Sequence, residues 1–326
     1  MVIKKTTTVE EIMIAWLNEI ERPNLKPASF DRKENTCKFQ VFPYIGNTPA
    51  KLLCNNDIEN LIQQLLQKGY ANSTIKKAVE AVGCCYRYYR LHGKLSNDPV
   101  LGVRVPSGGR SKYRHVRFFL PEQVAVIQKE CLRTHGNGTR VYPQGDLIII
   151  LLNTGMRVGE LLALTWRDVD LHGRMINIDK NSVRVKQRKP DGSYEFVQIV
   201  QDSTKTSSGI RYVPINQTAH DAFLRLAELT GRRGFIARSR TGQPLLIGNI
   251  ERTLLRILRN CGYPREYWYN VHALRHTFAS NLLRKGADIK KVSEILGHST
   301  VKFTYDYYIH FMPKDYTDTV NLLDEL

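Results

Sequence analysis

Four short stretches carry residue types and spacings that could act on a phosphate. In HALRHTFASNLL, His272, Arg275 and His276 recur at i, i+3 and i+4, so a helix there would present them on one face, with Leu274 and Phe278 on the side that buries. A basic, hydrogen-bonding face backed by an apolar one suits an anion. The two histidines also invite a zinc reading, but the metalloprotease pattern needs glutamate at the second position, where Ala273 stands, so no metal is expected. In TGMRVGELLALTW, Thr154-Gly155 separates two apolar helices and Arg157 opens the second. A guanidinium fork beside free helical N–H groups favours phosphate, and Glu160, one turn on, can hold an arginine or a histidine in place. In STKTSSGIRYVPI, Lys205 stands in a Ser/Thr-rich turn before a strand and by itself reads as a solvated loop lysine. Finally, GHSTVKFTYDYYIH brackets Tyr305, Tyr307 and Tyr308 with His298 and His310. That stretch is either a packed aromatic patch or the home of a nucleophilic phenol.

The charge balance says what kind of partner such groups would meet. The 326 residues carry a net charge of +17. Residues 1–110 hold 16 basic and 10 acidic side chains and the remainder 32 and 21, so both parts are basic. Excess on both parts points to a polyanion that both touch, and to nucleic acid before a merely solubilising surface. The six cysteines show no CxxC spacing and read as reduced, mostly buried thiols. No run approaches the ~18 apolar residues of a membrane span, and MVIKKTTTVEE lacks an apolar signal segment. A cytoplasmic protein, away from membranes, is the expectation.

The elements that must position these residues are mainly helical. TVEEIMIAWLNEI spaces Val9, Ile12, Trp16 and Ile20 behind a Thr8 cap. A second helix, PASFDRKENTCKFQ, starts near Pro27. NDIENLIQQLLQ follows with Asn56 or Asp57 as cap, and ANSTIKKAVEAVGCCYRYYRLHG with Ser73 or Thr74 as cap and Gly93 as its end. VRVPSGGRSKYRHVR, residues 103–117, is a linker by its proline and glycines, and its arginines and lysines, with no acid among them, suit a path along phosphate. Helices resume at Leu120. RMINID, SVRVKQR, SYEFVQIV and IRYVPI carry a β signal, with a hairpin turn at Pro190-Asp191-Gly192, and helices return from about residue 217.

Taken in order, TG-x-R-x-GE, TKT-x-S before R-x-V-P, H-x-x-R-H-T-F-A, and LGH followed by a tyrosine resemble the tyrosine recombinases, most closely phage and conjugative-transposon integrases. The likeness spans roughly residues 6–312. Each motif is weak singly; the four in sequence are specific. The resemblance implies a helical, SAM-like core-binding domain over 1–102, the basic linker over 103–117, and a mixed helical catalytic domain with a small antiparallel sheet over 118–326. That last domain would include a β insertion at about 181–203 and a C-terminal tail at 312–326. The tail segment VNLLDEL either docks on a neighbouring protomer or packs on its own domain.

The resemblance also implies roles. Arg157 and Arg275 would grip the nonbridging oxygens of a phosphodiester, His272 and His298 would add hydrogen bonds, and Glu160 would orient the Arg157/His272 side. Lys205 would protonate the departing 5′ oxygen. A phenol of ordinary pKa, about 10, needs a base and a cationic surrounding; His272 is the expected base. The ending Tyr308-Ile309-His310 fits the family's Tyr-x-His, which favours Tyr308 as nucleophile over Tyr307 and Tyr305. No metal or cofactor is implied. The partners implied are double-stranded DNA and three further copies of the chain in a tetramer, with accessory DNA-bending or directionality factors as further candidates. Lys26, Ser29, Arg32, Lys33, Ser73, Lys76 and Lys77 at helix starts, and Arg110 and Lys112 in the linker, are the candidate DNA contacts. The chain opens directly on the core-binding helix, without the additional arm-binding domain often found in such integrases. Either the sequence is truncated before this helix or the protein works without arm sites, as simpler Xer-like recombinases do, so an integrase and a resolvase both fit. A type IB topoisomerase, identified by plasmid relaxation without paired sites, and a DNA-binding regulator that has lost catalysis are the other readings.

Overall fold

The computed structural model describes residues 2–106, 116–202, 210–239 and 241–309. Lys205, Arg110, Lys112, His310 and the tail 312–326 lie outside the described residues. The chain forms two compact units, one of residues 1–111 with 184–197, the other of residues 112–183 with 198–326.

In the first unit, α1 (Val9–Trp16) starts on a capping box: the Glu11 N–H donates to Thr8 Oγ1 and the Thr8 N–H to Glu11 Oε2. The chain runs on through a π turn at Leu17–Glu21 into the short α2 (Arg22–Asn24), then α3 (Pro27–Thr36), a second π turn and α4 (Phe42–Ile45). The two long helices, α5 (Asn55–Gln67) and α6 (Asn72–Leu91), close the bundle. Both begin slightly before the residues expected to cap them. Asp57 is the third residue of α5, and its carboxylate accepts from the Cys54 N–H at 2.9 Å; Ser73 and Thr74 lie in the first turn of α6. The core gathers Ile12, Trp16, Leu61, Leu65, Val82 and Tyr86, and the buried phenols of Tyr86 and Tyr89 donate to the carbonyls of Ala50 and Ile12, so neither hydroxyl is left unsatisfied.

The hairpin of β3 (Lys180–Arg188) and β4 (Tyr194–Asp202) turns at Pro190-Asp191-Gly192, as its sequence predicts, with Gly192 in the left-handed region. Its outer half, 184–197, belongs to the first unit, where Arg188 pairs with Asp31 and Glu34 at 2.7 Å and Lys186 with Glu34 at 2.8 Å.

The second unit is built round α8 (Gly145–Thr154), whose sequence GDLIIILLNT is buried almost throughout. An all-round apolar helix must be enclosed; α7 (Pro121–Cys131), α10 (Gln217–Thr230), α11 (Ile247–Asn260) and α12 (His272–Arg284) enclose it. After α8 come the short α9 (Val158–Ala163) and an antiparallel sheet in the order β1 (Val169–Asp170), β2 (Met175–Ile178), β5 (Arg211–Pro214). Register pairs Ile176 with Val213 and Ile178 with Arg211. Finally, α13 (Ile289–Leu296) and α14 (Val301–Tyr308) pack with α12 around Ala279, Leu283, Val292, Leu296 and Tyr308. Among the described residues no helix is long and apolar enough to cross a membrane.

Candidate active site

Two buried arginines join segments that are far apart in sequence. Arg275, 2% exposed, donates through Nη1 to the Gly155 carbonyl at 3.0 Å and through Nη2 to the Leu296 carbonyl at 2.6 Å. Both acceptors lie at helix ends. Gly155 caps α8 with φ 64°, and a Cβ there would come 2.3 Å from the Phe278 ring, so both conformation and space demand glycine. Gly297 caps α13 with φ 66° and hands the chain to His298. Arg275 thus fixes the turn before Arg157 and the turn before His298 from the first turn of α12.

Arg211, from R-x-V-P, is the second. It donates through Nε to the Ile295 carbonyl at 2.7 Å, and through Nη1 and Nη2 to Glu160 at 3.1 and 2.8 Å. Glu160 also accepts the Arg157 N–H at 2.7 Å and Arg157 Nη1 at 2.9 Å. Both of its oxygens therefore serve arginines, and the His272 side that it was expected to orient is positioned by α12 instead. Burial works to raise the Glu160 pKa, but the Arg211 fork and the two guanidinium charges outweigh it and hold the carboxyl down at about 2. Because the folded value lies below the unfolded one, the stabilisation is present above the ordinary carboxylate pKa of about 4.3 and is lost as pH falls through about 2. Glu160→Gln leaves two buried or half-buried cations without their anion and should cost on the order of 3 kcal/mol at neutral pH. Thermal unfolding of the two proteins should converge as pH drops through that window; a gap that stays constant contradicts the assignment.

These contacts shape a cavity of about 520 Å³ lined by Arg157, His272, Arg275, His276, His298 and Tyr308, with Tyr307 and Phe303 at its side. The Arg157 side chain is 42% exposed and free to meet a ligand. Burial first, and Arg157 second, pull the Arg275 pKa down to about 9, still charged at neutral pH. The histidines are neutral there. Enclosure, then the neighbouring guanidiniums, lowers His272 and takes His298 to about 3, while enclosure, then His272 and Arg275, takes His276 to about 4. His298 Nδ1 meets the buried Thr304 hydroxyl at 2.8 Å; with Thr304 donating, Nε2 carries the ring proton and can donate to a ligand. Tyr308 is 1% exposed and its hydroxyl lies 2.5 Å from His276 Nδ1, whereas Tyr305 is 51% exposed and takes no part in the cavity wall. Burial pushes the Tyr308 phenol up to about 12 against the opposing pull of Arg275. A fixed phenol, two guanidiniums and hydrogen-bonding imidazoles facing one cavity are suited to attack on a phosphodiester.

The sequence model of the phage integrase family matches residues 118–314, and that of the phage integrase N-terminal SAM-like domain matches residues 8–66. The chain belongs to the phage integrase family. A tyrosine recombinase XerC-like protein of Caldanaerobacter subterraneus subsp. tengcongensis is 27% identical over 98% of the chain and 83% of its own length. The transposase from transposon Tn916 of Enterococcus faecalis is 28% identical, and the match takes in 56% of this chain and 46% of that protein. Among solved structures, the Tn1549 transposon integrase in complex with a circular intermediate DNA shares the fold at TM-score 0.70 and 20% identity, over 98% of both chains. The lambda integrase tetramer bound to a Holliday junction matches at TM-score 0.65 and 15% identity, over 95% of this chain and 78% of that one.

For this family member, then, the structure brings together Arg157, Glu160, His272, Arg275, His298 and Tyr308; Lys205 lies outside the described residues. In the first unit, Ser29, Arg32, Lys33 and Lys77 line one cavity of about 170 Å³ between α3 and α6. Lys33 is engaged there, with Glu21 at 2.8 Å and over the Trp16 ring at 5.0 Å. Ser73 and Lys76 are exposed at the start of α6, and Lys26 precedes α3. Arg211 was missed in the sequence, and His276, placed there on the face of His272, was given no role. Alternation puts Arg211 on the same face as buried Val213, and an arginine on a buried face must be paired. His276 follows His272 by one helical turn, which places it on the same face.

Proposed function

We propose that this chain exchanges DNA strands at specific sites through a covalent phosphotyrosyl intermediate, the first unit serving as the core-binding domain and the second carrying the chemistry. The observation that carries this reading is the convergence of Arg157, Arg275, His272 and His298 on the cavity that Tyr308 lines. Arg157 and Arg275 bind the nonbridging oxygens of the scissile phosphate, and the N-terminus of α12 adds its partial positive charge. As the Tyr308 oxygen bonds phosphorus, the bond from phosphorus to the 5′ oxygen breaks, and Lys205 supplies the proton that the departing oxygen needs. The 3′ end remains on the tyrosine. A 5′ hydroxyl from a partner strand reverses the step; two rounds pass through a Holliday junction and need no hydrolysis. Such a reaction runs in a tetramer on two DNA sites, in the cytoplasm, with accessory DNA-bending or directionality factors deciding integration or excision.

The test uses duplexes selected by the chain from a random pool and rebuilt with nicks at successive positions. When cleavage releases a short fragment, the reverse step is lost and the adduct accumulates. Covalent protein–DNA product with the unsubstituted chain, followed by strand transfer when an acceptor 5′ hydroxyl is added, is the expected result; tight binding without adduct on any nicked duplex points instead to a DNA-binding regulator.

For the first unit, Arg32→Ala, Lys76→Ala and Lys77→Ala should each weaken DNA binding across sequences and each lower the slope of log affinity against log salt by about 1. Binding titrations at several salt concentrations decide; an unchanged slope removes that residue from the interface.

A further inference from the structure

We propose that His276, rather than His272, accepts the proton of Tyr308 as the tyrosine attacks DNA. The inference rests on Tyr308 being the nucleophile and adds the group that activates it. His276 Nδ1 sits 2.5 Å from the Tyr308 hydroxyl, the geometry a proton acceptor needs before any substrate arrives. Its place is fixed from three sides. The backbone of α12 holds it one turn beyond His272, whose ring meets it edge-on at a centroid distance of 4.7 Å; the Tyr307 ring lies parallel to it, at 11°; and Tyr308 itself is packed among Ala279, Leu283, Val292 and Leu296.

The proton count balances. In the neutral tautomer protonated at Nε2, the Nδ1 lone pair faces the phenol. The phenolic proton passes to Nδ1 while the bond between oxygen and phosphorus forms, the 5′ oxygen leaves with the proton of Lys205, and the ring is left as imidazolium beside the bound phosphate anion. In the return step the incoming 5′ hydroxyl gives its proton back to Lys205, and the imidazolium reprotonates the departing tyrosine. Nothing is consumed. The groups facing His276 are His272 and Arg275 from α12, Tyr307 and Tyr308 from α14, and His298 after α13. Enclosure and the Arg275 charge keep the ring neutral at neutral pH, so the lone pair is available. A phenol this reluctant to ionise does not give up its proton ahead of attack. Transfer coincides with bonding to phosphorus, when the oxygen becomes acidic, and phosphate against Arg275 offsets the cation that depresses the imidazole.

The experiment measures single-turnover adduct formation on the nicked duplex from about pH 6 to about pH 9, for the unsubstituted chain, His276→Gln and His276→Ala. Glutamine can still accept a hydrogen bond from Tyr308 but cannot carry the proton away. Peptide mapping of the unsubstituted adduct comes first: a link at any tyrosine but Tyr308 overturns the nucleophile assignment and this proposal with it. With Tyr308 confirmed, His276→Gln should be slower by about 10²–10³ near neutral pH, with the deficit shrinking as pH rises and hydroxide takes over. Added imidazole should partly restore His276→Ala. A duplex with sulfur in place of the bridging 5′ oxygen separates base from acid, because a thiolate leaves without a proton: it should relieve Lys205→Ala and leave the His276→Gln deficit in place. Should His276→Gln fail to fold, His276→Asn is read by the same criteria. A rate within about threefold of the unsubstituted chain, or a deficit equal at every pH and blind to imidazole, overturns the proposal while leaving Tyr308 as nucleophile.

Discussion

Tyr308→Phe should bind the selected duplex as tightly as the unsubstituted chain and form no adduct with it. The phenylalanine ring keeps the packing among Ala279, Leu283, Val292 and Leu296, and the loss is the single hydrogen bond to His276. One such bond contributes about 1 kcal/mol, so the variant stays folded. The chemical loss is total, since no other group at that position can bond phosphorus. Tyr307 lines the same cavity, and Tyr305 lies on the exposed face of α14, so neither hydroxyl replaces one held against His276. Denaturing gel electrophoresis after incubation with nicked duplex reads the result directly, and full adduct in Tyr308→Phe moves the reaction to another tyrosine.

Arg275→Ala should produce the second-largest effect, and through two routes. Chemically it removes one of the two guanidiniums facing the phosphate, which lowers the cleavage rate by about 10²–10³. Structurally it leaves the buried carbonyls of Gly155 and Leu296 without their donor. Each unsatisfied group costs about 1–3 kcal/mol, so the melting temperature falls as well. The two are separable. Arg157→Ala removes the other guanidinium, whose side chain is 42% exposed, and should match Arg275→Ala in rate far more closely than in stability. Arg275→Lys keeps the charge but cannot reach both carbonyls and the phosphate with a rigid fork, so it should recover little of either. Calorimetry alongside single-turnover cleavage checks both; a variant with a slow rate and an unchanged melting temperature contradicts the bridging role.

What was legible in the sequence follows from how local each signal is. The Thr8 cap, the helical stripes and the turn at Pro190-Asp191-Gly192 are written in neighbouring residues, and the structure forms them there. The convergence of His272, Arg275, His298 and Tyr308 was legible only as four motifs in a familiar order; no periodicity brings α12 to the turn after α13. Arg211 was half legible, since strand alternation buries it but does not reveal that Glu160 lies opposite. The packing of the hairpin's outer half was not legible at all. Its pairing with Asp31 and Glu34 joins charges over 150 residues apart, and a charged residue on a strand reads as solvated until its partner is seen. The two-residue β1 is too short for alternation to register, and the start of α5 shifted because Asp57 serves Cys54 from inside the helix.

The central claim is that the phenol held against His276, with Arg157 and Arg275 facing the same cavity, is the group that becomes joined to DNA. Proteolysis of the trapped adduct, trimming of the DNA and mass spectrometry of the modified peptide test it most directly. The account predicts a single nucleotide-bearing residue, Tyr308. Modification at Tyr305 or Tyr307, or recovery of only unmodified peptide from cleaved duplex, would contradict it.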